Sequence, residues 1–251
     1  MNELRKKDRQ EMVYGIHPVI EAVKAGKEID KILIQKGLRS ESFTEFMGLL
    51  RESNIPYQFV PQEKLNRVSR KNHQGVIAFV SPVTFFNIED VLPQVFEDGK
   101  VPFVLIMDRI TDVRNFGAIL RSAACAGVDA VVIPSRNSAQ LNPDTVKSSA
   151  GAIYKVPLCR SSNLKETIGF LRNSGLLVVS ATEKADSDYF NTDMTVPLAI
   201  IMGSEGEGVS GEYLTLSDQK IRIPMIGEIA SLNVSVAAGI LMFEVVRQRQ
   251  S

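Results

Sequence analysis

Val101-Pro102-Phe103-Val104-Leu105-Ile106-Met107-Asp108-Arg109-Ile110-Thr111-Asp112-Val113-Arg114-Asn115-Phe116-Gly117-Ala118-Ile119-Leu120-Arg121 is the stretch from which the fold can be read. Residues 101–107 form an apolar run, as expected of a strand buried on both faces, the usual condition of a parallel sheet with helices above and below. Asn115 suits a helix N-cap. After it Phe116, Ile119, Leu120, Ala123 and Ala124 recur at helical spacing, and Gly127 is placed to stop the helix. Residues 130–133 read as the next strand. Further strands over 176–181, 198–202 and 220–223 alternate with helices around 163–173 and 233–249. Strands alternating with helices predict an α/β domain over 100–251 with a mainly parallel sheet covered on both faces.

Upstream the pattern is a smaller α/β unit, expected over 13–82. Residues 29–34 and 75–80 are rich in β-branched side chains and bounded by turn formers, so they read as strands. Between them Phe43, Phe46, Met47, Leu49 and Leu50 have helical spacing within 41–52, and Pro18 suits the first turn of a helix running to Lys24 with Gly26 closing it. Residues 83–99, with Pro82 just before and Pro93, Asp98 and Gly99 inside, read as a linker carrying at most one short helix, and residues 1–12 as an N-terminal tail.

Composition bounds the function classes without choosing one. At 44% hydrophobic and 23% charged, the 251 residues can bury a core and are not disordered. No apolar run reaches the length that spans a bilayer, and the charged opening Met1-Asn2-Glu3-Leu4-Arg5-Lys6-Lys7-Asp8 lacks the apolar stretch expected of a signal peptide. Cys125 and Cys159 have no paired spacing, which argues for a reducing, cytoplasmic location. The 29 basic and 29 acidic side chains cancel, so there is no global positive field. Residues 1–80 hold 14 of the basic and 10 of the acidic ones, leaving the first part at +4 and the rest at −4. Lys64, Arg67, Arg70, Lys71 and His73 cluster there, a pattern that fits either a solvated face or a nucleic-acid contact.

His17 and His73, the two histidines, are far apart, so neither an HExxH pair nor a His/Cys zinc cluster is available, and no metal is expected. There is no GxxxxGK[ST] phosphate loop. Gly203-Ser204-Glu205-Gly206-Glu207-Gly208 follows a strand but is not the dinucleotide pattern, because Glu205 stands where a glycine is needed and would repel a pyrophosphate. Three polar segments nevertheless leave the ends of expected strands: Asp108 to Arg121, Ile201 to Gly208, and Ile221 to Met225 continuing through Ser231-Leu232-Asn233-Val234-Ser235-Val236-Ala237-Ala238-Gly239. Open α/β sheets bind ligands at the carboxyl ends of their strands.

These three segments resemble, in order, motifs 1, 2 and 3 of the SpoU family, also called the TrmH family, within the SPOUT class of RNA methyltransferases. Motif 1 is built around N-x-G-x-x-x-R (Asn115 to Arg121), motif 2 around G-x-E-G-x-G (Gly203 to Gly208), and motif 3 around I-P-M followed by S-L-N-x-S-x-A (Ile223 to Met225 and Ser231 to Ala237). The resemblance covers roughly residues 100–250. The first part resembles the ribosomal-protein-L30-like substrate-binding domain of some members, and Val13-Tyr14-Gly15-Ile16-His17-Pro18-Val19 resembles the branch that methylates a guanosine in 23S rRNA. The resemblance implies a trefoil knot near the C-terminus, a contradiction of general topology rules. It also implies S-adenosylmethionine (AdoMet) as donor, 2′-O-methylation of a ribose, and a twofold homodimer.

It further implies roles. Arg121, Asn115, Glu205, Ser231 and Asn233 are the expected catalytic set, and Gly203, Met202, Ile223, Leu232 and Met225 the expected donor-binding set. Lys64, Arg67, Arg70 and Lys71 are expected to bind RNA. A guanidinium resists deprotonation, so Arg121 suits an electrostatic or phosphate-gripping role better than that of a base. As the motif 2 acid, Glu205 is expected to fix Arg121 or Asn115 by a charge-assisted hydrogen bond. Each residue also has a plainer use: Arg121 as a surface arginine, Asn115 or Ser231 as helix caps, Glu205 as a solvated loop residue, and Ile223 and Leu232 as core. Ala237, Ala238 and Gly239 read as packing residues. The alternatives to a 23S rRNA enzyme are a tRNA ribose methyltransferase, a non-catalytic RNA-binding relative, and a nucleotide-dependent oxidoreductase, the last disfavoured by Glu205.

Overall fold

The computed structural model describes residues 10–250, so most of the expected tail lies outside the described residues. The chain divides into two compact units, the first running up to Thr84 and including Leu141–Pro143, the second taking Phe85–Gln140 and the chain from Asp144 on.

The first unit contains β1 (Met12–Tyr14), α1 (Ile16–Lys24), β2 (Ile29–Gln35), α2 (Phe43–Glu52), β3 (Tyr57–Val60), α3 (Gln62–Val68) and β4 (Val76–Val80). Its sheet has the order β1-β4-β2-β3, with β2 and β3 parallel and the other pairs antiparallel. Alternation along β2 sends Ile32 and Ile34 to one face, where they bury with Val19, Ile20, Phe46 and Leu50 of α1 and α2. Leu33 goes to the other face and packs with Leu65 of α3, Val60, Ile77 and Phe79. With helices on both faces, β4 and the Ile32–Ile34 part of β2 read as apolar runs, with Asp30 and Lys31 interrupting β2, and this is why these two strands were legible. β1, β3 and α3 were not: the two strands are three and four residues long, and α3 carries few apolar residues.

His73 does not belong to the exposed basic cluster. It is buried, its Nδ1 accepts from the Gly75 amide at 3.1 Å, and its Nε2 lies 2.9 Å from Asn66 Oδ1. With Nδ1 accepting, Nε2 is the ring nitrogen placed to donate to Asn66 Oδ1.

The second unit contains α4 (Ile88–Glu97), β5 (Phe103–Met107), α5 (Val113–Ala126), β6 (Ala130–Pro134), α6 (Pro143–Ser148), β7 (Leu158–Ser161), α7 (Leu164–Asn173), β8 (Leu177–Ala181), β9 (Ser187–Asp188), β10 (Leu198–Met202), α8 (Gly211–Leu216), β11 (Gln219–Arg222) and α9 (Val234–Arg249). The seven-stranded sheet has the order β7-β6-β5-β10-β8-β11-β9, and every pairing among the described residues is parallel. Ile88 and Leu92 of α4 bury in the same cluster as Val104, Ile106, Val132, Val178 and Ile201. The stretch expected as a linker is therefore mostly part of the second unit's core. Its prolines and acidic residues obscured a helix whose apolar face is only three or four residues. No helix among the described residues is long and apolar enough to cross a membrane.

Two sheet neighbours, β5 and β10, mark the point where the chain changes direction: β6 and β7 extend to one side, β8, β11 and β9 to the other. The crevice outside the carboxyl ends of such strands is where open α/β sheets hold ligands. At the opposite, amino end, α9 is fastened by Arg249, which donates to the carbonyls of Met194 (3.2 Å), Val101 (2.7 Å), Pro102 (3.1 Å) and Val196 (2.8 Å). These carbonyls precede β5 and β10. Arg249→Ala is expected to destabilise the protein by about 2–3 kcal/mol, because charge-assisted bonds are lost and partly buried carbonyls are left unpaired. A thermal melt should then fall by roughly 5–10 °C. A shift below about 2 °C would mean that water replaces the guanidinium at no cost.

Candidate active site

Loops from β8, β10 and β11 and the start of α9 enclose a cleft of about 380 Å³, within the range typical of small-molecule sites. Met202, Gly203, Ile223, Met225 and Leu232, the expected donor-binding set, all line it, as do Glu205, Ser231 and Asn233. Ile223, half-buried, and Leu232, exposed, are thus cleft wall and not core. Thr182, Glu183 and Arg222 also line the cleft, and sequence reasoning had passed over them.

Gly203 answers to the chain itself. A Cβ there would lie 2.0 Å from Gly208 C and Val209 N and 2.3 Å from Gly208 O. The glycine lets the 203–208 turn fold back on its own strand end, where Ser204 and Gly208 exchange backbone bonds of 3.1 and 3.0 Å. Gly117, the motif 1 glycine, has an equally local reason: its Cβ would meet Ser148 Oγ at 2.0 Å, and that hydroxyl donates to Val113 O at 3.0 Å.

α5 starts one residue after Asp112, whose Oδ1 accepts from the amides of Arg114 (2.9 Å) and Asn115 (2.8 Å). Asp112 is the N-cap, not Asn115. An aspartate caps as well as an asparagine and adds a favourable charge at the helix amino end. Asn115, three residues further on, has its side chain released for other work. Its Nδ2 donates to Glu205 Oε1 at 2.5 Å, and its Oδ1 accepts from Asn233 Nδ2 at 3.0 Å. Asn233 Nδ2 also donates to Glu205 Oε1 at 2.9 Å. Through its own Oδ1 Asn233 caps α9, accepting from the Ser235 amide (3.0 Å) and hydroxyl (2.5 Å). Ser231 is therefore not the cap.

Two asparagines from separated segments thus converge on the carboxylate of a third segment at the cleft rim. Two amides donate to it, an arrangement that fixes its orientation. Arg121 is not part of this cluster. It is exposed on α5, and its side chain makes no hydrogen bond or ion pair among the described residues. Glu205 is held by Asn115 and Asn233 instead. In the first unit Lys64 and Arg67 sit on α3 and Arg70 and Lys71 just after it, all exposed, with the Lys71 ammonium 5.2 Å over the Tyr14 ring. Lys31 of β2 lies 5.3 Å over Phe79. Burial pulls its pKa down against the opposing charge of Asp30, and Lys64 nearby lowers it further. Its position inside an apolar strand had hidden it from sequence reasoning.

A family model described as the SpoU rRNA methylase family matches residues 102–243. The chain belongs to that family. A second model, described as RNA 2′-O ribose methyltransferase substrate binding, matches residues 12–86 of this SpoU protein. A Staphylococcus aureus protein assigned to the TrmH family of tRNA/rRNA methyltransferases is 40% identical over 238 residues, covering 95% of this chain and 96% of that one. The crystal structure of the SpoU methyltransferase AviRb from Streptomyces viridochromogenes, in complex with AdoMet, is 26% identical with a TM-score of 0.61, and covers 100% of this chain and 94% of that chain. The Aquifex (A. aeolicus) TrmH/SpoU tRNA modifying enzyme is 29% identical with a TM-score of 0.55, covering 65% of this chain and 84% of that chain. As a SpoU member the protein is an RNA methyltransferase.

The cleft of this SpoU chain suits AdoMet by its own chemistry. Glu183 and Glu205 face a site that takes a sulfonium and an ammonium and repels a pyrophosphate. Met202, Ile223, Leu232 and Leu241 give apolar walls for an adenine. Among the described residues, Pro224 to Leu232 make no backbone–backbone hydrogen bond, so their peptide groups can serve a ligand.

Proposed function

We propose that this protein transfers a methyl group from AdoMet to a ribose 2′-hydroxyl in structured RNA, a guanosine of 23S rRNA. The observation that carries the reading is the convergence of Asn115, Glu205 and Asn233 at the rim of a cleft whose lining suits the donor. AdoMet, when bound, supplies an electrophilic methyl on a sulfonium. The chain's part is to orient the hydroxyl, remove its proton and balance charge. Amide groups of Asn115 and Asn233 hold the Glu205 carboxylate in one place. A ribose hydroxyl becomes strongly acidic only as its oxygen gains the methyl, so a carboxylate as weak as Glu205 can accept that proton late in the step. Arg121, exposed and with a side chain that makes no bond among the described residues, grips a phosphate beside the target ribose. Ser231, on the cleft wall, is a further hydroxyl contact.

The first unit supports the rRNA reading, since the tRNA-modifying relative covers only 65% of this chain. Lys64, Arg67, Arg70 and Lys71 give that unit a cationic face able to track phosphates of structured RNA despite zero net charge. Two more features belong to this reading. The chain dimerises through α9, where Val236 and Phe243, each 50% exposed, share a face with Ile240. It is also knotted: β10 and β11 each enter between strands laid down earlier, and the 223–233 segment closes over the same cleft as the 203–208 turn.

The test uses methyl-labelled AdoMet with unmodified 23S rRNA and unmodified tRNA, with Arg121→Ala as control. Label recovered as a 2′-O-methyl nucleotide in 23S rRNA, and lost in the variant, is the expected result. Label in tRNA alone would discard the substrate, and AdoMet binding with no transfer to either RNA would favour a non-catalytic binder or a ribosomal-particle substrate.

A further inference from the structure

We propose that Arg109 is a positioning residue for the transfer step, a latch that holds the 203–208 turn where Glu205 meets Asn115 and Asn233. This rests on the reading of Glu205 given above. Arg109 is the second residue beyond β5 and has φ 57°, a left-handed conformation that costs a non-glycine residue on the order of 1 kcal/mol and persists only where the surroundings impose it. Here the surroundings are the motif 2 turn. The Arg109 guanidinium donates through Nη2 to Gly208 O at 3.1 Å, through Nη1 to Glu207 Oε2, and through Nε to Asp108 Oδ1 at 3.1 Å. Asp108 is 1% exposed, and its Oδ2 accepts from the Ser210 amide at 2.8 Å and hydroxyl at 2.7 Å. Residues 108 and 109 therefore grip the turn from within and from its far end.

The turn needs holding. Its own closure is the Ser204–Gly208 backbone pair, and Gly206 (φ 89°) and Gly208 (φ 70°) leave it little stiffness. Glu205 is at the exposed part of this turn, so the place of its carboxylate depends on what pins the residues around it. The side-chain hydrogen bonds of Arg109 run to Asp108, Glu207 and Gly208 rather than to Glu205, Asn115 or Asn233. Its action is through the backbone of the turn. An ordinary surface ion pair between Arg109 and the 75%-exposed Glu207 would contribute almost nothing, and that is the rival account.

Steady-state kcat and RNA KM, with AdoMet affinity and stoichiometry by calorimetry, are measured for Arg109→Lys and Glu207→Ala, each alone and combined with Glu205→Gln. Lysine keeps a charge beside Asp108 but cannot span Glu207 and Gly208 together, and Glu207→Ala removes only an exposed side chain outside the cleft lining. Each single variant is expected to lower kcat about tenfold with RNA KM and AdoMet stoichiometry unchanged, a smaller loss than the roughly 100-fold that a full ångström of misplacement can cost. Neither should lower it further in the Glu205→Gln background. The latch is overturned if both variants keep kcat within about twofold, if the losses multiply in the Glu205→Gln background, or if kcat falls only in proportion to the AdoMet stoichiometry, which is misfolding. Glu205→Gln silent by itself would overturn the role of Glu205 and the latch with it. A damaging Glu205→Gln with multiplying losses would overturn the latch alone.

Discussion

Asn233→Asp is expected to slow methyl transfer by roughly 10²–10³-fold, the scale of losing one preorganised donor at a reacting centre, while melting close to the unaltered protein. The residue does two separable jobs. Its Oδ1 caps α9, and aspartate caps as well as asparagine with an added gain from its charge at the helix amino end. Its Nδ2 donates to Glu205 Oε1 and Asn115 Oδ1, and aspartate puts an oxygen there instead, about 3 Å from two acceptors. Two facing carboxylates cannot both stay ionised at that distance, so Glu205 must swing away or share a proton. Asn233→Ser, which caps without the charge, should be less damaged. Circular-dichroism melts and single-turnover rates check this pair. If Asn233→Asp retains activity within about threefold, the cluster orders the loops and takes no part in the chemistry.

Gly203→Ala should abolish AdoMet binding at any practical concentration, a loss of about 100-fold or more in affinity, which is about 2.7 kcal/mol. The obstacle is steric and internal, since the added methyl would lie 2.0 Å from two backbone atoms of Gly208 and Val209. A side chain could rotate aside, but a backbone segment pinned by Arg109, Asp108 and Gly203's own strand cannot give without displacing Glu205 and the cleft wall. Calorimetry with AdoMet reads the result directly. Binding within about threefold of the unaltered protein would show that the turn re-forms around the methyl and that the cleft tolerates its displacement.

The second unit was legible in the sequence because its strands are buried on both faces. Phe103 to Met107 and Leu198 to Met202 are each buried throughout, and helices such as α5 and α7 carry clear apolar stripes. α4 was read as linker because its stripe is Ile88, Leu92 and Val95 interrupted by Pro93. Much of the site was also legible, as polar residues that a core does not require, spaced in three segments at strand ends. What they do to one another was not. Asp112 and Asn115 are both good caps by type, and only the helix start decides between them. Arg109 was given no role in the sequence, and His73 was grouped with the surface cations around it.

By itself the sequence determined the α/β class, the strand ends from which the cleft-lining segments leave, the lack of a histidine pair for a metal, and the family through its three motifs. These follow from periodicity, burial and residue type, which are local and add along the chain. The tertiary structure alone decided that Asn115, Glu205 and Asn233 share one carboxylate, that Gly203 yields to Gly208 and Val209, and that Arg109 spans to Glu207 and Gly208. Those contacts join residues 5 to 118 positions apart. Their geometry is set by strand order at the β5–β10 centre of the sheet, and strand order is a property of the packed chain that no local pattern encodes.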